Sequence, residues 1–378
     1  MRDLAQSDIR RMTLECERVG GVNLGQGICD LPTIPELKTG LARAVEENRS
    51  TYSRYDGIGE LRTAVAERLS RKNGVSYDAE GEVVVSVGAT GAFAMTMMAL
   101  LDPGDEVILP EPFYGYHWNT IVAAGGTPVP VPMREPDFAV DMDALSAAVT
   151  SRTRAVVVCS PANPSGKVWT AEELDSLVPV LHEHDLWAVT DEIYEDILYD
   201  GRRHLSLASR PGARERTITV SGFSKTFSIT GWRLGFAAAP APMAAALGVL
   251  NDLFYVCAPT PLQYAVAEAL TRVPASYYTE LAAEYQVKRD QLVEVCERLG
   301  WKPRVPGGAY YLMTEPTGIK AASARELSDR ILEQAQVASV PGSAFFADGG
   351  GETLVRFCFA KTRDDLDRAC GLLEKAFA

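Results

Sequence analysis

The chain has 378 residues, 47% of them hydrophobic and 23% charged. That is enough apolar material for a large buried core, so a disordered or fibrous chain is excluded, and at roughly 150 residues per domain the length suits two or three domains. With 37 Lys and Arg against 50 Asp and Glu, the net charge of −13 opposes a nucleic-acid partner and leaves room for a small anion held by one or two local arginines.

The seven cysteines are Cys16, Cys29, Cys159, Cys257, Cys296, Cys358 and Cys370. Their number is odd and none forms a C-x-x-C pair, so neither a disulfide framework nor a zinc site is expected, and a reducing compartment follows. The four histidines are too scattered to suggest any metal. The first residues, MRDLAQSDIRRMTLECERV, are charged throughout and lack the apolar core of a signal peptide. The longest apolar stretch, residues 89–101, falls short of the ~20 residues a membrane helix needs. A second, residues 234–250, is broken by Pro240 and Pro242. These features predict a soluble cytoplasmic protein with no membrane partner.

In chain order, residues 1–40 are rich in Pro and Gly and read as an irregular arm. Residues 83–87 (VVVSV) predict a strand, Gly88 a turn, and residues 89–101 a helix. Residues 106–109 predict a strand, followed by EPFYGY and a helical WNTIVAAG. Residues 155–159 (AVVVC) predict a strand, then the loop SPANPSGKV and a helix whose N-cap is Thr170, with acids in its first turn. Residues 186–190 (LWAVT) and 217–220 (TITV) predict two more strands. Continuous apolar strands mean burial on both faces. The expected fold is therefore α/β: a large domain, residues 41–273, with a mostly parallel sheet and crossover helices. From Pro274 the texture changes to a long charged helix, GGAYYLMT, the helix ARELSDRILEQA, the strand TLVRFCFA and a final helix. That predicts a smaller α+β domain over residues 274–378.

Parallel sheets bind ligands at the carboxyl ends of their strands. The polar residues just past each predicted strand are Asn163, Asp191 with Tyr194, Lys225 with Arg233, and the helix start Gly88, Ala89, Thr90. Each alone has an ordinary reading: a turn amide, an N-cap, a solvated amine, a surface ion pair, a common helix start. Together they match one cofactor. Pyridoxal phosphate needs an amine to condense with its aldehyde as a Schiff base, a carboxylate beside its ring nitrogen, and donors near its phenolic oxygen. Its phosphate needs helix-start N–H groups and an arginine. A cationic neighbour and desolvation would lower the lysine pKa and suit it to act as a base.

The segment GFSKTFSITGWRLG, residues 222–235, resembles the lysine signature of class I/II aminotransferases, the fold-type I pyridoxal-phosphate enzymes. NLGQG (23–27), YSRYDGIGELR (52–62), SVGATGA, EPFYGY and VRFCFAK (355–361) resemble other elements of that family, so the resemblance spans nearly the whole chain. NLGQG and RFCF are most similar to the kynurenine/glutamine/methionine aminotransferase branch. The resemblance implies a seven-stranded type of sheet and transfer of an amino group from an L-amino acid to a 2-oxo acid by a ping-pong route. It also implies a homodimer with shared sites. Residue by residue, it gives Lys225 the Schiff base and the α-proton. Asp191 takes the pyridinium, Asn163 and Tyr194 the phenolic oxygen, and Tyr114 the ring face. Ala89, Thr90, Arg233 and Ser224 take the phosphate, with Tyr52 reaching it from the partner subunit. Arg356, with Gly27, Ile28 and Asn163, takes the substrate.

Three features depart from the family pattern. Ile28-Cys29-Asp30-Leu31 stands where relatives carry Pro-Asp-Phe. Gly222 stands where many carry a phosphate-binding serine, with Ser221 beside it. Tyr116, His117 and Trp118 form an unusual aromatic cluster, read here as core rather than pocket. The same scaffold hosts elimination, replacement and oxidative chemistry, which stay open as alternatives. A non-catalytic cofactor-binding sensor is a remote one.

Overall fold

The structure, a computed structural model, describes residues 8–347 and 349–378. Its strands are β1 (Val22–Asn23), β2 (Val83–Val87), β3 (Glu106–Glu111), β4 (Thr127–Pro132), β5 (Thr153–Cys159), β6 (Trp187–Asp191), β7 (Thr217–Gly222), β8 (Leu234–Ala238), β9 (Lys302–Arg304), β10 (Tyr311–Glu315), β11 (Val337–Ala338), β12 (Val340–Pro341) and β13 (Val355–Cys358). Seven of them form one sheet in the order β2-β8-β7-β6-β5-β3-β4. The pairings from β4 through β7 are parallel, and β8 runs antiparallel to both neighbours. Helices cover both faces, so β3 and β7 are buried along their whole length. This is the α/β sheet expected from the sequence.

The reversed strand matters for the site. Because β8 is antiparallel, Gly235 pairs with Gly222 at the carboxyl end of β7, and Leu234 pairs with Val87 at the end of β2. The residue before β8, Arg233, therefore lands on the same sheet edge as the residues that follow β2, β5, β6 and β7. A second sheet, β12-β13-β10-β9, is antiparallel, and β1 pairs with β11 in parallel. A large core of aromatic and aliphatic side chains, including Tyr285, Tyr310 and Phe357, joins this second sheet to the residues after β6. Among the described residues, no helix is long and apolar enough to cross a membrane.

Several local expectations need correction. The N-terminal region is not irregular throughout: Asp8–Val19 is a helix, with Met12 and Cys16 on its buried side and Arg11 paired to Asp8 and Asp329. The apolar spacing of Ile9, Met12, Cys16 and Val19 carries that period. The prolines of residues 234–250 do not simply interrupt an apolar run. They separate β8 from the helix Ala241–Tyr255, in whose first turn Pro242 sits without needing to donate. Strand β4, TPVPVP, was hidden by its prolines. It lies at the sheet edge, where one side of the strand needs no partner. Thr170 is the expected N-cap, forming a reciprocal capping box with Glu173.

Candidate active site

At the carboxyl edge of the large sheet lies a cleft of about 430 Å³. It gathers Ala89, Thr90, Tyr114, Asn163, Asp191, Tyr194, Ser224, Lys225 and Arg233 with Gly27, Ile28 and Arg356. Tyr52 is not among its walls and is 81% exposed. A second groove, between the helices Pro35–Glu46 and Thr260–Arg272, contains none of these residues and is lined by charges already paired, such as Arg43 and Arg272 with Glu268.

Lys225 follows β7 and projects into the cleft, where its Nζ donates to the Gly27 carbonyl at 3.2 Å. Its ammonium also lies 5.8 Å from the Tyr194 ring and 5.5 Å from that of Tyr310. Desolvation lowers the Lys225 pKa; the Cys29 and Cys358 thiols oppose this and the Arg233 charge adds to it. Asp191 ends β6. Its Oδ1 accepts from the Ile193 N–H at 3.2 Å, and its Oδ2 lies 2.9 Å from His117 Nε2. Tyr194 Oη lies 2.9 Å from Tyr311 Oη, and burial holds the Tyr194 phenol well above its ordinary pKa, so it stays protonated.

Arg356 is almost fully buried. Its fork donates to Asn163 Oδ1 at 2.8 Å and to the Gly25 carbonyl at 2.6 Å, over the Tyr311 and Phe345 rings. Its Nε is buried without a partner, which leaves a donor for an anion. Gly27 approaches so closely that a Cβ there would lie 2.0 Å from Tyr311 Oη. At the other end, Arg233 adopts a left-handed conformation with φ 55° and donates to the Thr230 carbonyl at 2.8 Å. Gly88 has φ +71°, and a Cβ there would meet the Arg233 guanidinium at 2.5 Å. The glycine thus lets a guanidinium close over the start of the helix Gly88–Leu100, a site suited to a phosphate. An amine, a carboxylate, a phenol, a phosphate cradle with the Arg233 guanidinium, and the buried guanidinium of Arg356 converge, and this donor set fits pyridoxal phosphate with an amino acid.

The structure settles the three departures locally. Ile28 faces the cleft, Cys29 turns inward with its thiol 3.4 Å from Tyr310 Oη, and Asp30 pairs with Lys361. Ser221 Oγ donates to the Glu192 carbonyl at 3.3 Å and is absent from the cleft wall, which Ser224 joins instead. The aromatic cluster is not simply core. Trp118 is half-buried, packed against the core and stacked on Phe113. Tyr116 is half exposed and stacked on Tyr114. His117 lines the cleft and holds Asp191. Sequence reasoning missed His117 and Tyr311; His117 lies one helical turn beyond Tyr114, and that spacing was the available signal.

A family model described as "Aminotransferase class I and II" matches residues 19–373. An aspartate aminotransferase of Pyrococcus abyssi is 37% identical over 359 residues, covering 94% of this chain and 91% of that one. Kynurenine–oxoglutarate transaminase 3 of Mus musculus is 36% identical over 382 residues, covering 92% of this chain and 83% of that one. The structure of N-succinyldiaminopimelate aminotransferase from Mycobacterium tuberculosis matches with a TM-score of 0.96 at 36% identity, covering 99% of this chain and 98% of that one. The chain belongs to the class I and II aminotransferases and is a pyridoxal-phosphate-dependent transaminase.

Proposed function

We propose that the cleft residues divide the work of transamination as follows. Bound pyridoxal phosphate supplies an aldehyde and an electron sink. Lys225 would hold the cofactor through its amine and, when free of it, would serve as the base that takes and returns the substrate's Cα proton. Desolvation, which lowers its pKa, favours the neutral amine this role needs. Asp191, hydrogen-bonded to His117, would be the carboxylate partner of the ring nitrogen. Tyr194 and Asn163 hold the phenolic oxygen, and Tyr114 covers one ring face. Ala89 and Thr90 N–H groups, Ser224 and Arg233 hold the phosphate. Arg356 clamps the substrate α-carboxylate with help from the Gly27 backbone and Asn163, fixing the Cα–H bond toward Lys225.

The reading extends to the substrate side chain. Once these roles are assigned, the cleft residues left over include Ile9, Gln26, Ile28, Tyr116 and Thr120, none of them charged. An amino donor with an uncharged side chain fits best. It also extends to assembly. Val249, Leu253, Phe254 and Val256 are exposed along the end of the helix Ala241–Tyr255, and Tyr55 packs on Gly248 of that helix three residues after the exposed Tyr52. This apolar face suits a second copy of the chain, which would bring Tyr52 to the phosphate of the partner's site. We further propose the division into an arm (1–40), a cofactor domain (41–273) and a smaller domain (274–378), with the helix Pro35–Glu46 straddling the first boundary. Seven unpaired cysteines suit the cytoplasm.

The observation that carries the reading is one half-buried amine sharing a cleft with Asp191, Arg233 and Arg356. The test is a half-reaction screen of the twenty amino acids, following the cofactor's absorbance. Conversion to the amine form of the cofactor by uncharged L-amino acids, faster than by aspartate or glutamate, is the expected result. Ammonia release or oxygen uptake instead would overturn transamination, and preference for an acidic donor would overturn the side-chain reading. A solution mass equal to the 41.0 kDa chain alone would remove the shared site.

A further inference from the structure

Residues 191–197, DEIYEDI, form one tight turn after β6, closed by the Glu195 N–H donating to the Glu192 carbonyl and that of Ile197 to Tyr194. Asp191 and Tyr194 face the cleft. Glu192, Glu195 and Asp196 face the opposite way, toward the end of the helix Gly59–Asn73, and all three are buried. A buried carboxylate is costly unless paired and hydrogen-bonded, and here each is. Glu192 accepts from Thr190 Oγ1, Ser206 Oγ and Asn73 Nδ2, and lies 2.8 Å from His204 Nε2. Glu195 accepts from Arg68 at 3.3 Å and Asn73 at 3.1 Å. Asp196 accepts from Arg68 at 2.6 and 2.7 Å and from Lys72.

One further partner of Asp196 belongs to a different loop. Thr226, the residue next to Lys225, donates its hydroxyl to Asp196 Oδ2 at 2.6 Å. The Thr226 carbonyl accepts from Tyr277 Oη at 2.6 Å, and Arg68 lies over the ring of Tyr278, 5.0 Å away. The loop that carries the amine and the turn that carries the pyridinium's carboxylate are thus tied, behind the cleft, through the single carboxylate of Asp196.

We propose that Thr226 and Asp196 are positioning residues for Lys225: with Arg68 they form a buried brace that fixes the amine relative to Asp191. This rests on the assignment of Lys225 given above. None of the three reaches the cleft wall, so each acts only through its neighbour. A brace of this kind matters because proton transfer is steep in geometry, and a shift of about 1 Å costs on the order of 100-fold.

The test is Thr226→Val in the cofactor-loaded enzyme, which keeps the β-branched shape and removes the hydroxyl, with Thr226→Ser as the rescue. Three quantities are read per bound cofactor: kcat, KM, and the pH midpoint of the cofactor's absorbance change, which reports Lys225. The expected result is a fall in kcat of about 10- to 100-fold, KM within about 2-fold of the wild type, a displaced midpoint, and recovery of all three in Thr226→Ser. A lowered melting temperature with unchanged midpoint and kcat would overturn the proposal, leaving the brace a purely structural feature. Should Thr226→Val fail to fold, Tyr277→Phe loosens the same loop from the carbonyl side and must also move the midpoint. The outcome separates cleanly from the parent reading. Normal turnover in Lys225→Ala sinks the lysine assignment, whereas a dead Lys225→Ala beside an unaltered Thr226→Val sinks only the brace.

Discussion

The two faces of the turn at residues 191–197 are built from the same seven residues and behave oppositely. On the cleft face, Asp191 and Tyr194 join donors and acceptors that still have capacity for a ligand; the buried Nε of Arg356 has no partner at all. On the rear face, all three carboxylates are hydrogen-bonded, with Arg68, Lys72 and Asn73 of one helix among their partners and Arg68 and Lys72 four residues apart on one side. On the cleft face a buried guanidinium keeps a free donor, whereas on the rear face every buried carboxylate is hydrogen-bonded. Substitutions on the two faces should therefore separate activity from stability.

The sharpest separation comes from Lys225→Ala. Loss of the amine should cut turnover by about 10⁴-fold or more, while the melting temperature of the folded protein changes little, because the amine's hydrogen bond is a single one to a backbone carbonyl. Near-normal turnover would break the comparison on the cleft side. Arg68→Met is the counterpart. It takes the guanidinium from Asp196 and Glu195, which keep Lys72, Thr226 and Asn73, and removing one partner of a buried pair costs about 3–5 kcal/mol, measured by urea denaturation. A loss below about 1 kcal/mol would mean the rear face stabilises nothing.

Acid sharpens the same contrast. Burial tends to raise the Asp196 pKa, but Arg68 and Lys72 outweigh it and hold the carboxyl below its ordinary 3.8; Glu195 is likewise held below 4.5. A depressed carboxyl pKa stabilises the fold above the unfolded-state value, and that contribution disappears as pH falls through the folded-state one. Wild-type stability should thus decline as pH drops below about 4, and Arg68→Met should show a shallower decline over that range. An equally steep decline in both proteins would detach the brace from the acid limb. In the cleft, Arg356→Ala should raise KM for the amino donor about 100-fold, or ~2.7 kcal/mol, with a smaller change in kcat. An unchanged KM would remove that arginine from the carboxylate.

The same division explains what was legible in the sequence. Lys225, Asp191 and Asn163 could be read because each comes at or just past the end of a strand, and parallel strands deliver their ends to one edge, while Arg233 came with the lysine's loop. Strand β8 broke that rule by running backward, yet its reversal is what brings Arg233 to the edge. The rear acids Glu192, Glu195 and Asp196 were passed over because an acidic run is ordinarily a solvated surface. Their partners Arg68, Lys72 and Asn73 lie more than a hundred residues earlier in the chain, beyond any local pattern. β4 was lost to its prolines and the helix Asp8–Val19 to the glycines that follow it. In both cases tertiary packing overrode a local breaker signal.

His117 tests whether the two faces are as separate as this division makes them, since it is a buried group whose partner Asp191 lines the cleft. Its ring is wedged against Phe93 at 4.5 Å and meets Tyr114 edge-on, while Nε2 lies 2.9 Å from Asp191 Oδ2. Phe at this position keeps the aromatic packing and deletes only the hydrogen bond to the carboxylate. A hydrogen bond to a charged group is worth about 1.5 kcal/mol or slightly more, so His117→Phe should lower kcat roughly 10-fold, with a melting temperature close to wild type. In an Asp191→Asn background the same substitution should cost almost nothing further, because the charge it supports is gone. If the two losses instead add in full, His117 acts on the cleft by some route other than Asp191, and the carboxylate is held by the Ile193 N–H.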